Sequence, residues 1–168
     1  IYKLKLDFLG KQKFLVVAEL GDRHMAADIY EVVSSDFDEI IELLKQLWPD
    51  KISSYNVLIE IFSASIESPD SIYLCAKAGD KIVGFCSLVV IESLWQEGLI
   101  GHINELIIDE PFRRMGIGTE LLDTAIDAAK KKGCKRIELD SAFHREDAHR
   151  FYENIGFTKR AYLFSKET

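Results

Sequence analysis

The sequence contains few of the features that mark secreted, membrane-spanning or metal-binding proteins. Its three cysteines, Cys75, Cys86 and Cys134, are odd in number and form no paired metal-ligand spacing. They indicate reduced, mostly buried thiols, as in a cytoplasmic protein. No apolar run is long enough for a transmembrane helix, and the N-terminus lacks the basic-then-apolar pattern of a secretory signal. We therefore expect a cytoplasmic protein that acts without a membrane or a bound metal.

Positive charge is also scarce. The chain has 21 Lys and Arg residues against 28 Asp and Glu residues, which gives a formal net charge of -7. This balance argues against general nucleic-acid binding, because phosphate backbones attract clustered positive charge. It is compatible with a cationic substrate such as an amine. The length of 168 residues, of which 48% are hydrophobic, predicts one domain with a sizeable core.

The first 24 residues carry no functional motif. Alternation over residues 2–8, followed by Gly10 and an apolar run over residues 14–20, predicts a hairpin. The stretch Gly-Asp-Arg-His-Met that comes next resembles a cloning junction before a start methionine. We therefore assign residues 1–24 to a leader or vector-derived segment, and residues 25–168 to a single domain.

Hydrophobic periodicity and turn residues divide the rest of the chain into strands and helices. Apolar runs predict strands over residues 28–33, 72–78, 82–91, 103–108, 134–139 and 157–165, and a loop over residues 95–101. Helical spacing predicts helices over residues 37–47, 55–66, 117–132 and 146–154, of which the second also fits a strand. The order βααβββαβαβ predicts an α/β (α+β) fold with a mixed, mostly antiparallel central sheet and helices on both faces.

The segment between the fourth of these strands and the third helix carries two glycines and two arginines. Gly116 and Gly118 lie where the helix should begin, and Arg113 and Arg114 precede them. The first turn of a helix has unpaired N–H groups and partial positive charge, so it can hold a phosphate. Glycine permits close approach, and arginine adds charge-assisted hydrogen bonds. The alternative is a tight turn whose arginines face solvent.

Two common phosphate loops do not fit this segment. A Walker A loop requires Gly-Lys-Ser/Thr, but Thr119 directly follows Gly118, and a dinucleotide fingerprint requires a third glycine where Leu121 stands. The pattern Arg/Gln-x-x-Gly-x-Gly/Ala does fit, at Arg113, Gly116 and Gly118.

This pattern resembles the acetyl-coenzyme A loop of the GNAT superfamily of N-acetyltransferases. Residues 105–108 are similar to the family's Glu-Leu-x-Val strand before the loop, and residues 152–157 match its Tyr-x-x-x-Gly-Phe pattern. The resemblance covers roughly residues 27–166. It implies an acyl-CoA N-acyltransferase fold with the element order given above, and acetyl-CoA as the acetyl donor.

The resemblance also implies which residues bind the donor. The backbone N–H of Leu106, freed by a bulge, would bind the thioester carbonyl. The strand that carries it would splay from the strand at residues 134–139, and the pantetheine arm would lie between them, bonded to the backbones of Ile107 and Ile108. Arg145 stands where many members have a cofactor-binding asparagine, so it either reaches a phosphate or remains a surface residue. The diphosphate would lie on Arg113, Arg114, Met115, Gly116, Ile117, Gly118 and Thr119.

Two residues are candidates for catalysis. Tyr152 matches a tyrosine that commonly protonates the leaving thiolate in this family; the alternative is a core tyrosine beside Phe151. Glu105 is the candidate base, because burial in an apolar strand would raise its pKa towards a useful value. The alternatives are a structural carboxylate at this position, His102 as the base, or a chain of water molecules.

These residues predict an N-acetyltransferase in which a primary amine attacks acetyl-CoA directly in a ternary complex. Ser141 lacks the Gly-x-Ser-x-Gly turn of an acyl-enzyme nucleophile. The expected acceptor is a small cationic amine, such as a polyamine or an aminoglycoside, rather than a protein lysine or N-terminus. A non-catalytic acyl-CoA-binding sensor and an enzyme with another acyl donor are the alternatives. The identity of the acceptor, and whether the protein is a homodimer, stay open at this point.

Overall fold

The computed structural model describes residues 5–6, 12–13 and 27–168. Strands β1 (Lys5–Leu6) and β2 (Gln12–Lys13) pair in antiparallel fashion, so the chain does form a hairpin here, but β2 precedes the run over residues 14–20 that was predicted as the second strand. The rest of that hairpin and the predicted junction that follows it lie outside the described residues.

A five-stranded sheet is the centre of the structure. Its strands are β3 (Asp28–Glu31), β4 (Ser71–Ala78), β5 (Lys81–Ser93), β6 (Gly98–Ile108) and β7 (Cys134–Leu139), and they lie in this order across the sheet. Neighbouring strands are antiparallel, except that β6 and β7 are parallel and are joined by a helix. The helices are α1 (Phe37–Leu47), α2 (Tyr55–Glu67), α3 (Ile117–Lys131) and α4 (Glu146–Asn154).

Helices cover both faces of the sheet, as predicted. On one side, called the α3 face, Leu121 and Leu122 of α3 are fully buried in an apolar cluster with residues of the strands. On the other side, called the α1/α2 face, Phe37 of α1 and Phe62 of α2 are buried with Phe85 of β5. Burial of each side chain of this size stabilises the fold by about 1.5–3 kcal/mol, so the two clusters fix the helices against the sheet.

Several predicted elements have the bounds that the structure shows. Helices α1 and α4 and strand β7 agree to the residue, and residues 55–67 form a helix rather than a strand. The predicted loop over residues 95–101 was wrong in part, because β6 begins at Gly98. A tight turn accounts for the difference: Glu97 has a φ of 49°, and its N–H donates to the carbonyl of Leu94 at 3.1 Å.

The predicted strand over residues 157–165 was wrong. In the described part of the chain, α4 ends at Asn154, Gly156 follows with a φ of +95°, and there is no further helix or strand. Alternation gives a strand only where a neighbouring strand supplies hydrogen bonds, and this stretch meets β7 through side chains instead. Arg160 donates to Glu138 of β7 at 2.9 Å, and its guanidinium lies 5.0 Å from the ring centre of Trp95.

A β-bulge interrupts β6 at Asn104. Ser87 of β5 lies opposite Glu105, whereas the next residue of β5 lies opposite Ile103, so Asn104 is the extra residue. The bulge reverses the alternation of side chains along the strand. Ile103 and Leu106 both pack on the α3 face, and Glu105 lies on the α1/α2 face.

Candidate active site

A gap opens between β6 and β7 directly after the bulge. The ladder that joins the two strands ends at the pair Ile103 and Leu139, so the last residues of β6 have a neighbouring strand on one side only. The N–H of Asp109 donates to Val83 of β5 at 2.8 Å. Because alternate residues of a strand point their N–H groups to opposite sides, the N–H groups of Leu106 and Ile108 face the gap.

Backbone contacts to the pantetheine arm were predicted for Ile107 and Ile108, and the geometry bears on both. Ile107 lies opposite Phe85, and the alternation places its N–H and carbonyl in the ladder with β5, so its backbone does not face the gap as predicted. The carbonyl of Ile108 faces the gap but accepts a hydrogen bond from Nε of Arg113 at 2.9 Å. Leu106 therefore offers the backbone with both groups directed into the gap.

The loop before α3 has the conformation of an anion site. Arg114 has a φ of 65° and Gly116 a φ of 85°, and α3 begins directly after Gly116. The N–H groups of Thr119 and Glu120 both donate to the carbonyl of Gly116, at 3.0 and 3.1 Å. Within the described residues, the N–H groups of residues 114–118 have no protein acceptor, so they are open donors at the positive end of the helix dipole.

The loop differs from the prediction at Thr119 and Arg113. Because the N–H of Thr119 is already used by the carbonyl of Gly116, the open amides end at Gly118. The guanidinium of Arg113 donates to the carbonyl of Ile108, and its Nη2 lies 3.4 Å from Oε1 of Gln46. The Arg113 side chain is therefore directed towards Ile108 and Gln46 in this structure, and its contact with a phosphate stays a prediction. Arg114 is exposed and has no protein acceptor among the described residues, so its charge is available to a ligand.

Tyr152 packs on the α3 face, beside the gap. Its ring centre lies 5.3 Å from that of Phe151 and 5.8 Å from that of Phe157, which holds the phenol against the apolar cluster. Burial, with a smaller contribution from Cys86 that Arg145 opposes, raises the pKa of Tyr152 to about 12. The phenol therefore stays protonated and is a hydrogen-bond donor over the whole neutral range.

Glu105 lies on the α1/α2 face, in one row with Ser87 and Tyr73 of the neighbouring strands. The hydroxyl of Ser87 donates to its carboxylate and accepts the N–H of Glu105 at 3.2 Å. Burial raises the pKa of Glu105 above its ordinary value, and the Ser87 hydrogen bond and the charge of Lys51 offset part of that shift. A buried carboxylate of raised pKa is a stronger base than a free one.

His102, the other candidate base, is on the same face. Its cross-strand partner Val89 lies two residues from Ser87 on β5, so the two side chains point the same way. Nε2 of His102 lies 3.4 Å from Oδ2 of Asp140, directly after β7. Glu105 and His102 therefore line the α1/α2 side of the gap, and Tyr152 lies on the α3 side.

Arg145 does not lie at the loop. Its Nη2 donates to the carbonyl of Leu47, the last residue of α1, at 2.8 Å. The guanidinium is therefore bound to a carbonyl of α1 in this conformation, and a phosphate contact of Arg145 stays a prediction. The contact joins α1 to the start of α4, which carries Tyr152.

Three residues near the site were not predicted from the sequence: Gln46, Lys51 and Ser87. None belongs to a motif, and each is distant in sequence from its partner at the site, which is Asp109 for Gln46 and Glu105 for Lys51 and Ser87. An isolated serine within an apolar strand, as at Ser87, is the one local signal, since a buried hydroxyl requires a partner. Among the described residues there is no group of three or more metal-ligating side chains, and no helix is both long and apolar enough to cross a bilayer.

Comparisons with known proteins agree with this geometry. The model of the Acetyltransferase (GNAT) family matches residues 29–157. The chain is 30% identical over 139 residues to an aminoalkylphosphonate N-acetyltransferase of Salmonella typhimurium. The aligned region is 83% of this chain and 90% of that protein. It is 29% identical over 140 residues to N-alpha-acetyltransferase 30 of Xenopus laevis, which covers 82% of this chain but only 44% of that protein.

A solved structure shares the same fold. A transcriptional regulator from Bacillus halodurans C-125 superposes with a TM-score of 0.76 at 24% identity, over 84% of this chain and 99% of that one. This likeness concerns the fold alone. The chain belongs to the GNAT family of acetyltransferases, and it is an acetyl-CoA-dependent N-acetyltransferase. The family and the fold class predicted from the sequence are thereby confirmed.

Proposed function

We propose that this enzyme acetylates a small-molecule amine by direct attack of the amine on acetyl-CoA in a ternary complex. One observation carries the proposal: the gap after the bulge exposes the N–H of Leu106 between a face with a protonated phenol and a face with a basic carboxylate. The donor then approaches from the α3 side and the amine from the α1/α2 side, so that the two substrates meet at Leu106.

The donor's diphosphate is bound by the N–H groups of residues 114–118 and by the guanidinium of Arg114. These groups need no rearrangement, because the positive φ angles of Arg114 and Gly116 already direct the amides outward. The arm lies in the gap, where the backbone of Leu106 bonds to it. This N–H also binds the thioester oxygen, which gains negative charge as the amine attacks.

Glu105 accepts the proton that the amine must lose. A lysine-like amine has a pKa of about 10.4 and is mostly protonated at neutral pH. The raised pKa of Glu105 brings the carboxylate closer to that value and makes the proton transfer less unfavourable. The neutral nitrogen then attacks the carbonyl carbon and the carbon–sulfur bond breaks. The second proton, which the nitrogen loses as the amide forms, passes to the departing sulfur, so the products are the amide and the thiol of coenzyme A.

Tyr152 stabilises the leaving sulfur by a hydrogen bond rather than by complete proton transfer. A phenol with a pKa of about 12 is a weaker acid than a thiol. With a thiol pKa of about 8.5, complete transfer would be uphill by about 5 kcal/mol. A hydrogen bond to the developing thiolate has no such penalty and contributes about 1.5–3 kcal/mol. This refines the role of proton donor that the sequence predicts.

The α1/α2 side of the gap, from which the amine approaches, carries carboxylates, and their negative charge favours a cationic amine. Glu105 lies beside the gap, and Asp140 lies next to His102. The Salmonella relative aligns with this chain over 90% of its own length, and it is named for a small amine substrate. The Xenopus relative is named as an N-alpha-acetyltransferase, so a peptide α-amine is the second candidate. A cytoplasmic location and a homodimer remain predictions from the sequence.

An acceptor screen tests the proposal. Thiol release from acetyl-CoA is followed with polyamines, an aminoglycoside, an aminoalkylphosphonate, a peptide with a free N-terminus and an N-blocked lysine peptide. Succinyl-CoA and propionyl-CoA are compared as donors with the best acceptor. We expect a small amine and acetyl-CoA to give the highest kcat/KM. Preference for a peptide would contradict the small-molecule acceptor, and saturable coenzyme A binding without turnover of any amine would contradict direct transfer.

A substitution of Tyr152 tests the role of the phenol. Tyr152→Phe should lower kcat/KM by roughly 10- to 150-fold, the loss of one hydrogen bond to a charged atom. Because the phenol does not ionise near neutral pH, the shape of the pH profile should not change. Tyr162→Phe, in the exposed C-terminal stretch, is the matched control and should be silent. An altered pH profile in Tyr152→Phe would contradict the assigned role.

A further inference from the structure

The last turn of α1 contacts the segment that leads into the loop before α3. Gln46 lies in this turn, and both ends of its side-chain amide are used. Nε2 donates to Oδ1 of Asp109 at 2.8 Å, and Oε1 accepts the N–H of Glu110 at 3.2 Å. Nη2 of Arg113 lies 3.4 Å from the same oxygen. One side chain therefore binds three residues between the end of β6 and the loop.

The partners of Gln46 are themselves anchored. Asp109 is 4% exposed, and its other carboxylate oxygen accepts a hydrogen bond from Lys81 at 2.6 Å. Arg113 donates to the carbonyl of Ile108, whose N–H faces the gap. A displacement of Gln46 would therefore be transmitted to the start of the loop and to the edge of the gap.

The residue after Gln46 contacts the helix that carries Tyr152. The carbonyl of Leu47 accepts the hydrogen bond from Arg145, which directly precedes α4. A cation at the C-terminus of α1 is also favoured by the helix dipole. The chain then continues to Lys51, whose positive charge acts on Glu105. The end of α1 is thus connected to the loop, to the tyrosine helix and to the acceptor face.

We propose that Gln46 is a positioning residue, which holds the donor's phosphate loop in register with the α1/α2 side where the amine binds. Gln46 itself touches no substrate. It fixes Glu110 and Arg113, and through them the direction of the open amides that follow. The inference rests on the proposed function for the identity of the ligand at the loop.

A binding titration gives the first test. Coenzyme A is titrated calorimetrically into the wild type, Gln46→Ala, Gln46→Glu and Lys45→Ala. Gln46→Ala should weaken binding about tenfold, the loss of two ordinary hydrogen bonds. Gln46→Glu keeps the oxygen that binds Glu110 and Arg113 but places a carboxylate oxygen against that of Asp109, so it should weaken binding at least as much as Gln46→Ala. Lys45→Ala, on the neighbouring residue that pairs with Glu42, should bind like the wild type.

The second test separates positioning from a general loss of structure. Acetyl-pantetheine lacks the diphosphate, so kcat/KM with this donor does not depend on the loop. Gln46→Ala should therefore lower kcat/KM with acetyl-CoA about tenfold and leave it unchanged with acetyl-pantetheine. An equal loss with both donors, or unchanged coenzyme A affinity, would overturn the proposal. Failure of the wild type to bind coenzyme A would instead overturn the proposed function.

Discussion

Arg114 stands in a backbone conformation that a non-glycine residue rarely adopts. Its φ of 65° lies in the left-handed region, at the point where the loop before α3 turns its amides outward. Such strain is retained where the surrounding structure requires it, and it is concentrated at binding sites. If the guanidinium is kept there to bind a phosphate, then Arg114→Gly should make the protein more stable and a poorer binder of coenzyme A.

The two effects have calculable sizes. The left-handed conformation costs an L-residue about 1–2 kcal/mol. Glycine recovers this but loses about 0.4–1 kcal/mol through the greater entropy of the unfolded chain. The net gain lies between about 0 and 1.6 kcal/mol, with a middle value of about 0.8 kcal/mol, which corresponds to a rise of roughly 2–3 °C in Tm for a chain of this length. Loss of one charge-assisted contact should weaken coenzyme A binding about tenfold.

Thermal unfolding and coenzyme A calorimetry on the same protein measure both effects. Glu97→Gly is the matched control, because Glu97 is the other described non-glycine residue with positive φ and lies in the turn between β5 and β6. It should raise Tm similarly without changing coenzyme A affinity. Arg114→Ala should lose affinity with no gain in Tm. An Arg114→Gly variant that binds as the wild type does would refute the reasoning.

Two further outcomes follow from the site. A raised carboxyl pKa means that the folded state holds the proton of Glu105 more tightly, so its contribution to stability is present below the unfolded pKa of about 4.3 and is lost as pH rises through the folded value. The difference in Tm between Glu105→Gln and the wild type should therefore be more favourable to the variant at neutral pH than in acid. The acidic limb of the pH profile of kcat/KM should disappear in this variant. An unchanged limb would assign the base elsewhere. Gly116→Ala should lose roughly 1–2 kcal/mol in denaturant unfolding because of its φ of 85°. Gly118→Ala, whose added carbon would lie 3.4 Å from Ile108, should stay within about 0.5 kcal/mol of the wild type, and equal losses in both would contradict the assigned loop geometry.

The sequence was sufficient for the elements whose signals are local. Helix α1 has an apolar face of helical period and ends before Pro49, and α4 lies between a charged first turn and Gly156. The open amides before α3 follow from glycines that can be read directly. The strand predicted over residues 157–165 was wrong because alternation alone does not decide whether a segment pairs with β7 at long range.

Long-range polar contacts explain what was missed at the site. Gln46 is 63 residues from Asp109 along the chain, and nothing in an exposed glutamine near the end of a helix indicates that partner. Arg113 was placed in the motif correctly, but the motif does not fix the direction of its side chain. The carbonyl of Ile108, left without a strand neighbour by the gap, accepts its guanidinium and thereby decides that direction.

The bulge at Asn104 shows most clearly how pairing, rather than periodicity, makes the site. A regular strand would place Ile103, Glu105 and Ile107 on one face, with the carboxylate in the apolar cluster beneath α3. The extra residue moves Glu105 to the opposite face, where Ser87 binds it, and leaves Ile103 in the cluster. It lies directly after the last residue that pairs with β7, so the strand changes face where the gap opens. One inserted residue therefore separates the phenol from the carboxylate and leaves the N–H of Leu106 between them.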